Sequence, residues 1–76
     1  MTDEFRKQLE FFCFDVLGDH TEPDNIEIKQ YGKDIWVIIK RLGLIYSSKE
    51  IMQDDWDRAV ADRPEFKDVI LGFPRD

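Results

Sequence analysis

The sequence has 76 residues but only one cysteine and one histidine, which limits the chemistry available to it. Because Cys13 has no second cysteine to pair with, an internal disulfide and a four-cysteine zinc site are excluded. A nucleophile–base pair would have to join Cys13 to His20, yet Cys13 falls on the apolar face of a predicted helix, where an inert buried thiol is typical. A glycine-rich phosphate loop is absent as well. We therefore predict no catalytic residues, no cofactor and a protein that is not an enzyme.

Recognisable metal-binding patterns are also scarce. Acidic residues cluster around His20 between Asp15 and Asp24, and oxygen-rich loops of this kind can hold calcium or magnesium. The spacing and the central glycine of an EF-hand are missing from this loop. A solvated acidic loop is the simpler interpretation, so we predict no metal site.

Long apolar runs and a basic N-terminus are missing too. The longest apolar run, residues 35–39, is far too short to span a bilayer. The N-terminal residues are acidic and polar and lack the pattern of a signal peptide. These features favour a cytoplasmic protein with a single domain, residues 1–76, in which residues 74–76 form a tail.

The first half of the chain has the periodicity of a helix followed by a hairpin. A helix is predicted over residues 3–17, with Thr2 as its N-cap. Its apolar arc consists of Phe5, Leu9, Phe12, Cys13 and Val16. Alternation over residues 26–31 and the β-branched run at 35–39, separated by a tight turn, predict two antiparallel strands.

The second half of the chain predicts one well-marked helix. Ser47 and Glu50 have the spacing of a capping box, with Tyr46 and Ile51 as the hydrophobic staple around it. A helix is therefore expected over residues 48–62. Its buried stripe consists of Met52, Trp56, Ala59 and Val60.

Two segments leave the end of the fold open. Residues 44–46 either continue the second strand or form a short third one. Over residues 66–72 the apolar spacing favours a short third helix, and a strand at 69–71 is the alternative. The predicted fold is α+β, ordered helix, β-hairpin, helix, short helix, with the helices packed on one face of a two- to three-stranded antiparallel sheet.

Two surfaces are candidates for binding a partner protein. Phe11 and Phe14 lie outside the apolar arc of the first helix, and exposed aromatic rings are common interface anchors. The alternative is that the third helix covers both rings. On the second helix, Glu50, Asp54 and Asp57 recur at i, i+4 and i+7 and form an acidic stripe, which is either a partner surface or a solvated face.

The net charge of −6 and the isoelectric point of about 4.6 favour basic proteins as partners over nucleic acid or anionic membranes. The hairpin nevertheless concentrates positive charge near two aromatic rings, which is the pattern of a single-strand binder. The bases of this candidate nucleic-acid site are Lys29, Lys33, Lys40 and Arg41. An edge protected from aggregation by its lysines is the simpler interpretation.

The leading hypothesis is a small acidic inhibitor or modulator that binds a basic, nucleic-acid-handling protein through these two surfaces. Small acidic inhibitors from phages and mobile elements have this general character, which is an analogy of type only. The alternatives are a structural or regulatory homodimer, joined through the first helix or by sheet extension, and a nucleic-acid binder that uses the hairpin.

Overall fold

A computed structural model describes residues 1–40 and 47–73, with the backbone alone for Ser47 and Ser48. Within these residues the chain forms two α-helices and a three-stranded mixed sheet. The elements in chain order are α1 (Asp3–Leu17), β1 (Ile26–Tyr31), β2 (Asp34–Ile39), α2 (Ser47–Asp62) and β3 (Val69–Gly72). Single 3₁₀ turns, Pro23–Asn25 and Pro64–Phe66, precede β1 and β3.

Helix α1 begins as its sequence predicts. The Thr2 hydroxyl accepts a hydrogen bond from the backbone N–H of Phe5 at 3.1 Å, which satisfies one of the free donors of the first turn. The inward face of α1 is excluded from solvent, since Leu9, Cys13 and Leu17 are fully buried. Because these side chains recur at helical spacing, they form one stripe of α1 that packs against one side of the core.

The sheet has the order β1-β2-β3. Strands β1 and β2 form an antiparallel hairpin, and Gly32 adopts φ +60° in the turn between them. That left-handed conformation suits a residue without a Cβ atom. Strands β2 and β3 are parallel, with Ile35 paired to Val69, so α2 lies in the crossover that a parallel connection requires.

Both helices pack on the same face of the sheet. The core joins α1 and α2 to the inward side chains of β2 and β3, and the ring of Phe12 meets that of Trp56 edge-on at 5.0 Å. The buried sheet residues are Val37, Ile39, Val69 and Leu71. The predicted α+β class and the one-sided packing of the helices are confirmed.

The prediction of a short third helix is wrong, except for a single 3₁₀ turn at its start. Helical structure there is limited to Pro64–Phe66, and Val69–Gly72 is a strand, as the alternative interpretation held. Val69 and Leu71 point inward and Ile70 points outward, which is the two-residue period of a strand. The sheet is also mixed rather than antiparallel, because β3 adds to β2 in parallel.

Some predictions fall on residues that the structure does not describe. These concern the extra strand at 44–46, the capping box and hydrophobic staple around Ser47, and the tail at 74–76. The second helix itself is confirmed, since it runs over Ser47–Asp62 against an expected 48–62.

Candidate partner-binding site

The outer face of α1 presents two phenylalanine rings to solvent. Phe11 is 75% exposed and Phe14 is 44% exposed. Successive helical residues turn by about 100°, so Phe11 lies almost opposite the buried Leu9. A third helix does not cover these rings, because Val69–Gly72 belongs to the sheet. Burial of these rings by a partner remains a prediction.

An open groove of about 580 Å³ runs along this side of α1. Five of the six residues that line the groove lie on α1, and the sixth, Arg63, lies in the segment after α2. The lining residues are Gln8, Phe11, Phe12, Phe14, Asp15 and Arg63. The groove therefore combines apolar ring surface with one carboxylate and one guanidinium group.

Arg63 is held in place at the groove by three neighbours. Its guanidinium carbon lies 5.8 Å from the ring centroid of Phe12 and 5.4 Å from that of Phe66. Its Nε donates a hydrogen bond to Oε1 of Glu65 at 2.6 Å. Stacking on rings and a charge-assisted hydrogen bond both restrict the side chain, so the cation is presented in a defined position.

The acidic stripe lies on the outer face of α2. Glu50, Asp54 and Asp57 are exposed, and Asp57 accepts a hydrogen bond from Nε2 of Gln53 at 2.9 Å. Arg58, which lies on the same helix, forms its ion pair with Asp55 instead. Among the described residues, no lysine or arginine forms an ion pair with any of the three stripe carboxylates. Their charge is therefore available to a basic partner.

His20 has a structural partner in Asp55. Its Nε2 lies 2.6 Å from Oδ2 of Asp55, which ties the loop after α1 to α2. Hydrogen bonding to His20, followed by the pairing with Arg58, holds the pKa of Asp55 below its ordinary value. Cys13 is fully buried, and burial raises the pKa of its thiol to about 12. At neutral pH this thiol is protonated and shielded, which argues against the Cys13–His20 pair as a nucleophile and base.

The basic residues of the hairpin are partly neutralised by Glu27. The Nζ atoms of Lys29 and Lys40 lie 3.4 Å and 3.1 Å from the two carboxylate oxygens of Glu27. Hydrogen bonding to Lys40 is the main cause of the lowered pKa of Glu27. Lys33 is exposed at the turn, and Arg41 lies outside the described residues. The pairing weakens the field that a nucleic acid would need, and binding there remains an untested prediction.

Sequence reasoning missed Arg63 and the groove. The spacing of Gln8, Phe11, Phe12 and Asp15 along α1 could have revealed one wall. The approach of Arg63 to that wall could not be inferred, because it depends on the 3₁₀ turn that follows α2.

A second exposed surface, the outer sheet face, was signalled only by the unbroken apolar run of β2. Trp36 and Ile38 are half-buried there, whereas Tyr31 is 55% and Ile70 is 38% exposed. A Cβ atom placed on Gly72 would lie 2.9 Å from Cε3 of Trp36, so the indole ring packs directly on the β3 backbone. This contact fixes the position of the largest ring on that face.

Comparison of the chain with family models, with curated proteins and with solved structures finds no match. Neither helix in the described part of the chain has the length and apolarity needed to cross a membrane. The function is therefore inferred from the surfaces of this molecule.

Proposed function

We propose that this chain is a small, non-enzymatic, acidic protein of the cytoplasm that acts by binding another protein as an inhibitor or modulator. The observation that carries the proposal is the 75% exposure of Phe11 beside an open groove. A ring of this size removes about 150–250 Å² from water when it is buried, so leaving it exposed forgoes a large stabilisation. Occupation of the ring by a partner recovers that stabilisation.

The charge of the protein favours a basic partner, and proteins that handle nucleic acids are a large class with such surfaces. The net charge is −6, and Glu50, Asp54 and Asp57 lie on the same helical layer as Phe11. Since no cation of the described residues pairs with this row of carboxylates, the row can attract the lysines and arginines of a partner and accelerate association. The apolar ring supplies affinity, and the stripe supplies orientation and rate.

The experiment is an affinity capture from the native cell with matched variants. Phe11→Ala should lose the captured protein, whereas Tyr31→Ala should retain it, because the Tyr31 ring is also exposed but lies on β1, away from both helices' proposed surfaces. The purified partner should then be titrated against the wild-type chain at rising salt.

The contribution of the acidic stripe is read from the salt dependence. Substitution of Asp54 and Asp57 by asparagine should lower the association rate at low salt and flatten its dependence on ionic strength. A captured protein that binds Phe11→Ala as tightly as the wild-type chain would contradict the proposal.

A further inference from the structure

We propose that the groove beside Phe11 takes a second copy of this chain, with the two α1 helices packed against each other across a two-fold axis. This inference rests on the proposed function in one respect, since it takes the Phe11 surface to be a protein-binding surface. It goes further by naming a second copy as the occupant of that surface in the absence of the basic partner.

The first argument is shape. A two-fold interface uses the same patch on both copies, so the patch must carry both a projection and a matching recess. The α1 surface carries both, because Phe11 projects into solvent from the wall of a groove of about 580 Å³. Each copy can therefore place its Phe11 ring in the groove of the other, where the ring meets Phe12 and Phe14.

The second argument is charge. The groove contains one carboxylate, Asp15, and one guanidinium, Arg63, and the only ion pair that the described residues give Arg63 is with Glu65. In the proposed arrangement, Asp15 of each copy faces Arg63 of the other. Local charges of opposite sign then face each other twice, although each chain carries a net −6.

The third argument is preorganisation. Arg63 is already stacked on Phe12 and Phe66 and bonded to Glu65, so little side-chain freedom is lost when it pairs across the interface. Glu65 uses the Nε donor, which leaves the terminal N–H groups of the guanidinium for a carboxylate of the second copy.

The test is a charge exchange followed by sedimentation equilibrium. The wild-type chain should form dimers, and Asp15→Arg and Arg63→Asp should each weaken dimerisation by at least about tenfold, because each sets like charges together twice. A one-to-one mixture of the two variants should recover the dimer, since the mixed pair restores opposite charges at both contacts. Lys33→Glu, the same change of charge at the exposed β1–β2 turn and off α1, is the matched control and should leave the dimer intact.

Arg63→Asp also removes the stacking on two core rings, so its fold must be checked by circular dichroism. If it does not fold, Phe11→Ala serves instead and should be monomeric alongside Asp15→Arg. A wild-type chain that remains monomeric up to about 1 mM overturns the inference. So does a dimer that neither Asp15→Arg nor Phe11→Ala weakens.

The outcome is separable from that of the proposed function. A monomer that still captures a partner through Phe11 overturns the dimer and leaves the proposed function standing. A dimer that Asp15→Arg dissociates, from a chain that captures no partner, supports the dimer and removes the proposed function.

Discussion

Phe66 and Phe11 allow one substitution to be compared at a buried and at an exposed ring. Phe66 is fully buried, its ring stacks on that of Phe12 at 4.5 Å, and it meets Phe5 at 5.7 Å. Truncating a buried phenylalanine to alanine lowers the free energy of unfolding by about 3–5 kcal/mol. A chain of 76 residues has roughly 4–11 kcal/mol in total, at typical values per residue. Phe66→Ala should therefore remove between about a quarter and all of the stability at 25 °C.

The assay is urea denaturation followed by tryptophan fluorescence, which reports on the core because Trp56 is almost fully buried against Phe12. Phe11→Ala should change the free energy of unfolding by no more than about 0.5 kcal/mol, since surface substitutions rarely do more. The reasoning is refuted if Phe66→Ala loses less than about 1 kcal/mol. It is also refuted if Phe11→Ala loses more than that, because the ring would then be part of the core.

Three further predictions concern single contacts. Gly72→Ala should lower the free energy of unfolding by about 1–3 kcal/mol in urea, because the new Cβ atom would lie 2.9 Å from the Trp36 ring; an unchanged midpoint would contradict the packing. The pKa of Asp55 is lowered by His20, so its contribution is present above the ordinary value of 3.8 and is lost as pH falls through the folded-state pKa. In Asp55→Asn the free energy of unfolding should therefore fall less steeply as the pH is lowered into the acid range. If the fall is the same as in the wild-type chain, the His20–Asp55 contact does not contribute to it. The Cys13 thiol, with its pKa raised to about 12, should react with a disulfide reagent only as fast as the protein transiently unfolds around it. Rapid labelling of the native protein would show instead that the thiol is accessible.

The elements that could be predicted from the sequence are those whose own residues determine them. Helix α1 has a cap at Thr2 and a complete apolar stripe, and the hairpin has alternation on one side of a glycine turn. Strand β3 differs, because Phe66, Val69 and Ile70 fit helical spacing as well as the observed structure. Its conformation is decided by pairing with β2, which is a tertiary contact that local spacing does not encode.

The same distinction applies to the candidate site: one part of it could be predicted from the sequence and the other could not. The exposure of Phe11 and Phe14 follows from the geometry of one helix and was predictable. The groove was not, because its second wall is Arg63, which follows α2 and is positioned by the rings of Phe12 and Phe66. A surface formed by one element can be derived from periodicity, whereas one formed between elements requires the packing to be known.

The two proposed interactions share Phe11 on α1, but only the binding of a basic partner uses the acidic stripe on α2. A dimer formed through the α1 groove leaves the α2 stripe of Glu50, Asp54 and Asp57 uncovered on both copies. Two stripes on one assembly present carboxylates in duplicate, and a basic partner that reaches both gains effective concentration for the second contact without any new residue. Dimerisation also sums the charge of two chains, each at −6, so the long-range attraction for a basic partner grows. Because Asp15 and Arg63 pair across the dimer and the stripe attracts a basic partner, salt would weaken both interactions.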